Sequence, residues 1–339
     1  ADSVQQRRPN VVLIMMESMS AKFMKHFGQS ETLTPFLDSL YTRSISFRNF
    51  YSAGIHTNHG LYATLYSFPA MMKRNLMKGS VIPRYSGLPT VLKENGYYNL
   101  FFMTHEGQYD NMNAFFRTNG YDEVFSQEDY PADKVVNSFG VQDDFLYDYA
   151  IPVLNQRAAT GQPFFATLLS ISNHPPYVIP PFFHPKTSEP ETQIVEYADW
   201  ALRQFFEEAR KQPWFDNTIF VLEGDHGKLV GDAECELPES YNHIPLMIYS
   251  SRIHPEEKTT FGGQVDIQPT ILGLLNIDYL QNNFGVDLLK EERPCMFYTA
   301  DNMIVGRNDT LLYLFNYETQ QEFTYHIDNG KLKAVPMDD

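Results

Sequence analysis

The sequence predicts an α/β fold in which a mostly parallel central sheet is sandwiched by helices, with a small C-terminal antiparallel sheet. Two observations support this prediction. Up to residue 295, apolar runs of strand length alternate with stretches of helical periodicity. From Met296 onward, short strand-like runs are separated by turn signals. We therefore expect a main α/β domain over residues 1–295 and a small β subdomain over residues 296–339, packed on it.

The first predicted strand, Asn10–Glu17, is apolar until its last residue (NVVLIMME). An unbroken apolar run of this length is typical of a strand buried on both faces of a parallel sheet. The carboxyl ends of such strands are where open α/β sheets bind their ligands. Glu17 is therefore a candidate site residue, although an acid at the start of a helix beginning near Ser18 would explain it equally well.

Further strands and helices follow in alternation. Five more apolar runs have the length of buried strands: Ile45–Tyr51, Tyr98–Met103, Phe164–Ser170, Thr218–Leu222 and Ile244–Ser250. Five stretches read as helices: Pro35–Thr42, Leu88–Asn95, Phe145–Ala158, Ile194–Lys211 and Val265–Leu275. In the C-terminal segment, turn signals at Arg307-Asn-Asp and Asp328-Asn-Gly separate short strands.

The formal net charge of the chain is −16. A surface this negative repels nucleic-acid phosphates, so nucleic-acid binding is disfavoured, and an anionic substrate must be held by local groups such as a metal ion or histidines. No apolar run approaches the ~18 to 20 residues needed to cross a bilayer. The sequence is compatible both with a soluble protein and with the soluble part of a larger membrane protein. Cys235 and Cys295 are compatible with one disulfide or with two buried thiols.

Two segments carry chemistry besides Glu17. Asp225 and His226 directly follow a predicted strand and lie between glycines, and adjacent Asp and His supply an oxygen and a nitrogen to a divalent metal. Thr57 lies in a polar, glycine-punctuated loop that leads into a helix predicted to begin at about Gly60. A threonine hydroxyl at a helix N-terminus can act as a nucleophile when a metal activates it. The alternative is an ordinary N-cap threonine.

Taken together, these segments resemble the alkaline phosphatase/sulfatase superfamily, and within it the lipoteichoic acid synthase and phosphoglycerol transferase branch. The resemblance covers most of the chain. Besides Asn10–Ser18 and the Thr57 loop, it rests on Phe68-Pro, His105-Glu-Gly, Tyr109-Asp-Asn-Met, Asn119-Gly-Tyr-Asp, Ser172-Asn-His-Pro-Pro-Tyr, Gly224-Asp-His-Gly and His243-Ile-Pro-Leu.

The resemblance implies that one divalent metal ion, most often Mn with Mg or Zn as alternatives, is bound by Glu17, Thr57, Asp225 and His226. It implies that Thr57 is the nucleophile and forms a phospho-threonine intermediate, and that His174 contacts the substrate or its leaving group. Further substrate-binding residues implied in this way are His105, Asp110, Asn111 and His243. For His243 a structural role is an equally good interpretation, and His59 is better explained as structural.

Two departures from the family pattern bear on the substrate. Asp110 and Met112 occupy the positions of the tryptophan and arginine of the Gram-positive synthases, which removes a phosphate-binding cation and disfavours a glycerol-phosphate polymer as the substrate. The Thr57-Asn-His-Gly-Leu segment also lacks the Cys/Ser-x-Pro-x-Arg motif from which sulfatases make formylglycine. Sulfatase chemistry is therefore not expected.

The expected function is metal-dependent transfer of a phosphoglycerol-type head group from a phospholipid to a cell-envelope glycan or lipid acceptor. The alternatives are a phosphodiesterase, a phosphoethanolamine transferase, a sulfatase-family hydrolase and, outside enzymes, a metal-containing module that binds the cell envelope. Two cysteines are fewer than the phosphoethanolamine transferases usually carry. The resemblance implies an extracytoplasmic location, periplasmic or on the outer face of the cytoplasmic membrane, with membrane helices upstream of Ala1.

Overall fold

The computed structural model describes residues 8–70 and 73–336 of the 339-residue chain. Its strands are β1 (Asn10–Met16), β2 (Ile45–Tyr51), β3 (Tyr98–Phe102), β4 (Glu123–Phe125), β5 (Val135–Asn137), β6 (Gly140–Val141), β7 (Phe164–Leu169), β8 (Thr218–Gly224), β9 (Leu246–Tyr249), β10 (Glu256–Gly263), β11 (Met296–Thr299), β12 (Met303–Arg307), β13 (Leu311–Asn316), β14 (Gln321–Asp328) and β15 (Lys331–Ala334). Its α-helices are α1 (Pro35–Thr42), α2 (Thr57–Tyr66), α3 (Leu88–Glu94), α4 (Met112–Thr118), α5 (Asp143–Ala159), α6 (Pro190–Ala209) and α7 (Ile267–Leu274).

Eight strands form the central sheet, in the order β10-β2-β9-β8-β1-β7-β3-β4. Neighbouring strands are parallel except where β9 pairs with β2 and β8. The strand β1 lies between β7 and β8, with Met16 opposite Gly224. Because parallel neighbours end at the same edge, the residues that follow β1 and β8 lie side by side.

Alternate residues of β1 face two separate apolar cores, as expected for a strand covered on both faces. Val12 and Ile14 face the core that is closed by α1, α5 and α6. Val11 and Leu13 face the core that is closed by α2, α3, α4 and α7. The predicted fold class, a mostly parallel sheet between two layers of helices, is confirmed.

The C-terminal strands β11 to β15 form a separate antiparallel sheet in sequential order, also as predicted. This sheet packs on the main body through a third apolar core, which contains Val305 together with Tyr51 and Phe261 of the central sheet. The rings of Tyr51 and Tyr298 stack with centroids 5.0 Å apart. The division at residues 295 and 296 coincides with the start of β11, but whether the two segments are separate domains stays a prediction.

Several predicted boundaries differ from the structure. Helix α2 begins at Thr57 and not at Gly60, and all its residues from His59 to Tyr66 are buried, so it has no polar face for a periodicity argument to detect. Strand β8 extends to Gly224, and β9 begins at Leu246. The elements that sequence patterns did not indicate are short or polar: β4, the β5–β6 hairpin, α4 and the edge strand β10.

Cys235 and Cys295 are free thiols, each half-buried. Within residues 8–70 and 73–336, none of the helices combines the length and apolar character needed to cross a bilayer.

Candidate active site

Four predicted ligands converge where β1 and β8 end. The hydroxyl oxygen of Thr57 lies 2.7 Å from Oδ2 of Asp225 and 3.1 Å from Oε2 of Glu17. The Nε2 atom of His226 lies 3.6 Å from a carboxylate oxygen of each acid. One ligand atom from each of Glu17, Asp225 and His226 lies within 4.8 Å of the others. The structure therefore brings together all the residues for which metal binding was expected.

Backbone N–H groups hold the carboxylate of Asp225, and serine hydroxyl groups hold Glu17. Oδ1 of Asp225 accepts hydrogen bonds from the backbone N–H groups of Ser18 (2.8 Å) and His226 (2.7 Å), which leaves Oδ2 to face Thr57. The backbone N–H of Glu17 donates to the Ser170 hydroxyl at 3.0 Å, and the Ser18 hydroxyl donates to Oε1 of Glu17 at 3.0 Å. Ser18 has a φ of 51°, a left-handed conformation that turns the chain sharply after Glu17.

His226 is oriented through its other ring nitrogen. Nδ1 lies 2.6 Å from the backbone carbonyl of Gly227. Since a carbonyl can only accept, we assign one proton to Nδ1. Nε2 faces Glu17 and Asp225 and carries a second proton, because burial, which lowers the pKa of His226, is outweighed by the charge of Asp225 and the hydrogen bond to Glu17, which raise that pKa to about 10. A metal bound to Nε2 would take the place of that second proton. Metal-binding histidines are commonly fixed in this way, with one nitrogen donating to a carbonyl and the other free to bind.

The carboxylates are buried together and need a compensating positive charge. Glu17 is 2% exposed and Asp225 is fully buried. Burial, followed by the charge of Glu17, raises the pKa of Asp225 to about 8. Burial acts in the same direction on Glu17, but the hydrogen bond and charge of His226 outweigh it and lower the pKa of Glu17 to about 2. The site offers two carboxylate oxygens, one hydroxyl oxygen and one imidazole nitrogen as metal ligands. This donor set fits a divalent metal ion such as Mn, Zn or Mg.

Thr57 does not behave as an N-cap. It is the first residue of α2, whose N-cap is His56, and its hydroxyl donates to Asp225 instead of accepting from the helix backbone. Helix α2 approaches β8 very closely, because a Cβ on Gly60 would lie 2.4 Å from the carbonyl oxygen of Asp225. A residue larger than glycine at position 60 would therefore move Thr57 away from the carboxylates.

Gln264 ties the Thr57 loop to β8, and sequence analysis did not indicate it. Its side chain is fully buried. Oε1 accepts from the backbone N–H of Ala53 at 2.9 Å, and Nε2 donates to the carbonyl of Asp225, also at 2.9 Å. The bond to Ala53 joins residues 211 positions apart, and no local sequence motif indicates it.

Two predicted histidines lie around the four-residue cluster. The Nδ1 atom of His174 lies 2.6 Å from the carbonyl of Pro175, which leaves Nε2 available, and His174 is close enough to Glu17 to influence the pKa of that carboxylate. His105 is 2% exposed, and its burial lowers its pKa, an effect that the charge of Glu17 partly opposes. The ring of His105 packs against that of Tyr109, with centroids 4.5 Å apart and the planes tilted by 42°.

The other predicted substrate residues are engaged elsewhere. Oδ1 of Asp110 pairs with Nζ of Lys78 at 2.9 Å, and Nδ2 of Asn111 donates to the carbonyl of Met77 at 3.0 Å. Met112, in the position of the family's arginine, is fully buried in the core. The role of Asp110 and Asn111 in substrate binding therefore stays a prediction.

His243 is not brought to the cluster. Its ring stacks on Tyr51 with centroids 5.1 Å apart, and its Nε2 lies 2.7 Å from the carbonyl of Arg48. These contacts favour the structural interpretation of His243 over substrate or metal binding.

Lys228 is a site residue that sequence analysis missed. It lies two positions after His226, and its Nζ lies 2.5 Å from Oδ1 of Asn173 and 2.9 Å from the Tyr177 hydroxyl. Burial lowers the pKa of Lys228 to about 8, and the charge of Glu17 is first among the opposing influences. The position of this lysine directly after Asp225-His226-Gly227 could have marked it as a candidate site residue. Only the fold shows that its side chain turns towards Asn173.

Comparison with known proteins agrees with this geometry. The profile of the Sulfatase family matches residues 9–277. The chain is 24% identical over 315 residues to lipoteichoic acid synthase 2 of Bacillus subtilis (strain 168) and 26% identical over 322 residues to phosphoglycerol transferase I of Xanthomonas campestris pv. campestris. The alignments cover 84% and 89% of this chain but 47% and 46% of those proteins. The chain thus spans about half the length of these curated relatives.

Solved structures show the same fold. A protein in the alkaline phosphatase superfamily from Vibrio parahaemolyticus matches with a TM-score of 0.89 at 29% identity, covering 98% of this chain and 83% of that one. The lipoteichoic acid synthase LtaP from Listeria monocytogenes matches with a TM-score of 0.84 at 21% identity, covering 96% of this chain and 86% of that one.

Proposed function

The chain belongs to the sulfatase family of the alkaline phosphatase superfamily, and from this premise we propose that it is a metal-dependent phosphotransferase acting on a phosphodiester. The proposed reaction moves a phosphoglycerol-type head group from a lipid to a cell-envelope acceptor through a covalent phospho-Thr57 intermediate. The observation that carries the proposal is the Thr57 hydroxyl, placed within 3.1 Å of both buried carboxylates at the start of α2.

Phosphate fits the nucleophile better than sulfate does. A threonine cannot be converted to formylglycine, and the residues after Thr57 contain neither the proline nor the arginine of the sulfatase motif. Lipoteichoic acid synthases and a phosphoglycerol transferase are among the relatives. They support phosphoglycerol-type chemistry for this chain at 24–26% identity.

Glu17, Thr57, Asp225 and His226 would hold the metal. When bound, the metal supplies a Lewis acid that favours the ionised form of the Thr57 hydroxyl and offsets negative charge on the phosphoryl group. The remaining steps use side chains of the chain itself. The two carboxylates are buried while Thr57 is half-buried, and the hydrogen bond to Asp225 holds the Thr57 oxygen against them.

In the first half-reaction, the Thr57 oxygen, which has lost its proton to solvent, attacks phosphorus, and the bond to the lipid alcohol breaks. His174 gives the departing oxygen a proton from Nε2. In the second half-reaction, the acceptor alcohol attacks the phosphoryl group on Thr57 and gives its proton to His174, and the bond to the Thr57 oxygen breaks. The Thr57 oxygen departs in its ionised form and His174 is protonated again, so the enzyme is regenerated.

The test uses Thr57→Ala with a phosphatidylglycerol substrate and a nitrophenyl phosphodiester. We expect turnover to fall to background while the circular dichroism spectrum is unchanged. Mass spectrometry of the quenched wild-type enzyme should find the phosphoryl ester on the peptide that contains Thr57. Thr42→Ala, at the end of α1, is the matched control and should keep full activity. Full activity of Thr57→Ala on either substrate would disprove the mechanism.

The acceptor and the cellular location belong to the same proposal. Formation of a head-group ester with an added alcohol acceptor would identify a transferase, whereas release of the free phosphoryl head group in water would identify a phosphodiesterase.

The matching relatives are about twice as long as the chain. We propose that it faces the extracytoplasmic side and that membrane helices precede it in the whole protein.

A further inference from the structure

Lys228 is a half-buried cation beside the active site, on the segment that leaves β8. The ring centroid of Tyr177 lies 4.7 Å from its ammonium nitrogen, and that of Phe23 lies 5.6 Å away. Aromatic faces at these distances stabilise a positive charge without neutralising it. The ammonium group of Lys228 is therefore in contact with aromatic rings.

No carboxylate of the described residues lies within 4.0 Å of the Lys228 ammonium, although acidic residues outnumber basic ones by 42 to 26. Its two hydrogen-bond partners, the Asn173 amide oxygen and the Tyr177 hydroxyl, are both neutral. An ammonium group has three donors, so one donor has no partner among residues 8–70 and 73–336. An anionic ligand would use that donor and the unneutralised charge.

Lys228 is also connected to the metal ligands through two buried residues, Asn173 and Ser18. Asn173 is 1% exposed, and while its Oδ1 accepts from Lys228, its Nδ2 donates to the carbonyl of Ser18 at 3.1 Å. Ser18 in turn contacts both carboxylates, through its N–H to Asp225 and its hydroxyl to Glu17. This chain of hydrogen bonds fixes the position of the ammonium relative to the Thr57 nucleophile.

We propose that Lys228 binds a non-bridging oxygen of the phosphoryl group and supplies the cation that is lost at the family's arginine position, now Met112. The inference rests on the proposed function, because it assumes a phosphoryl group at Thr57. Lys228 would contribute most when negative charge builds up on the phosphoryl oxygens, since a fixed cation in a partly buried site needs no rearrangement at that moment. Asn173 is a positioning residue for it.

The test measures binding of inorganic phosphate to the Mn-loaded protein by calorimetry, without turnover. Lys228→Met and Lys228→Gln should weaken phosphate binding by about 10- to 100-fold, the range for loss of one charge-assisted hydrogen bond. Lys228→Arg, which keeps the charge, should stay within about 3-fold of the wild type. Lys93→Met, which removes a lysine paired with Asp122 on the surface, is the matched control and should bind phosphate normally.

Mn binding, followed by electron paramagnetic resonance, should be the same in all these variants, which separates loss of a phosphate ligand from damage to the site. Unchanged phosphate affinity in either uncharged variant would overturn the inference, and so would an arginine variant as weak as the methionine variant or a wild type that does not bind phosphate. Normal phosphate binding through Lys228 without any Thr57-dependent turnover would instead disprove the proposed function alone.

Discussion

Asp225 uses its two carboxylate oxygens for different purposes. Oδ1 is occupied by two backbone N–H groups, and Oδ2 faces Thr57 and His226. A carboxylate is needed at this position because a side-chain amide has only one accepting oxygen, and its NH₂ group would point either at backbone donors or into the metal site.

Asp225→Asn should therefore weaken Mn binding by at least about 100-fold, the upper end of the effect of losing an outer partner of a metal site. Calorimetric titration with Mn measures the affinity, and circular dichroism checks that the fold is kept. Asp216→Asn, an exposed acid just before β8, serves as the matched control and should leave Mn affinity unchanged. Wild-type Mn affinity in Asp225→Asn would remove Asp225 from the ligand set.

The site residues whose position could be predicted from the strand pattern are those that directly follow a buried strand, whereas only the resemblance to a known family distinguished Thr57 from an ordinary N-cap. Glu17, Asp225 and His226 belong to this group, because the ends of parallel neighbours must meet at one edge of the sheet. Lys228 and Gln264 act through contacts with residues far away in the chain, which a single sequence does not display. His243 has the residue type of a ligand, but only the fold shows that it lies against Arg48.

At the scale of elements, the approach of α2 to β8 decides where the nucleophile lies. The start of α2 was misplaced from the sequence because a helix buried on all sides gives no amphipathic pattern. Gly60 permits this close approach of α2 to β8. The sequence predicted that the helix begins at about this residue. In the structure it lies one turn inside α2 and against the carbonyl of Asp225.

Gly60→Ala should separate Thr57 from the carboxylates, since the added Cβ would lie 2.4 Å from a backbone oxygen. We expect a fall of about 10²-fold in kcat/KM, the effect of misplacing a reacting group by about 1 Å. Overpacking should also lower the free energy of unfolding by about 1–3 kcal/mol. The control is Gly79→Ala, where the nearest atom to the new Cβ is 3.5 Å away. Equal activities of the two variants would show that α2 can shift without loss of activity, and that its close approach to β8 does not position Thr57.

Helix α1 depends on α6 for its N-terminal cap. Its own N-cap, Thr34, makes no capping bond, and the Asp199 carboxylate accepts from the N–H groups of Phe36 and Leu37, both at 2.9 Å. Burial raises the pKa of Asp199 to about 7, against the opposing effect of these two hydrogen bonds. The folded state therefore retains a proton between pH 4 and 7 that the unfolded state has lost.

Because the folded pKa lies above the unfolded one, the contribution of Asp199 to stability falls as pH rises through this window, by at most about 1.4 kcal/mol per pH unit. Asp199→Asn abolishes this titration. Urea unfolding of both proteins at pH 4.5 and 7 measures the effect. The difference in free energy of unfolding, wild type minus variant, should be smaller at pH 7. A difference that does not change with pH would mean that the pKa of Asp199 is not raised.

At the scale of the whole molecule, the alternation of strands and helices predicted the layered architecture because it reflects burial of each strand on both faces. The alternation of strands and helices does not determine the order of the strands in the sheet. In particular, β10 was missed because it is an edge strand with a charged, partly exposed sequence, Glu-Glu-Lys-Thr-Thr. The C-terminal sheet was predicted from its turns, but its attachment to the Thr57 loop was not.

That attachment makes the C-terminal sheet part of the site's support. The backbone N–H of Thr299 donates to the carbonyl of Ala53 at 2.9 Å, and Asn242 donates from its side chain to the Thr299 carbonyl at 3.1 Å. Tyr51, at the end of β2, is covered by Tyr298. Deleting residues 296–339 would expose this apolar core and release one anchor of the loop that leads to Thr57.

We therefore expect the 1–295 chain to unfold at a lower temperature than the full chain and to bind Mn more weakly. Scanning calorimetry and Mn titration test the two effects. Deleting residues 329–339 is the control. It removes the edge strand β15, which is mostly exposed, with the residues on either side of it, and should change neither quantity appreciably. If the 1–295 chain matched the full chain in both measurements, residues 1–295 would be an independent domain and the third apolar core would not contribute to the active site.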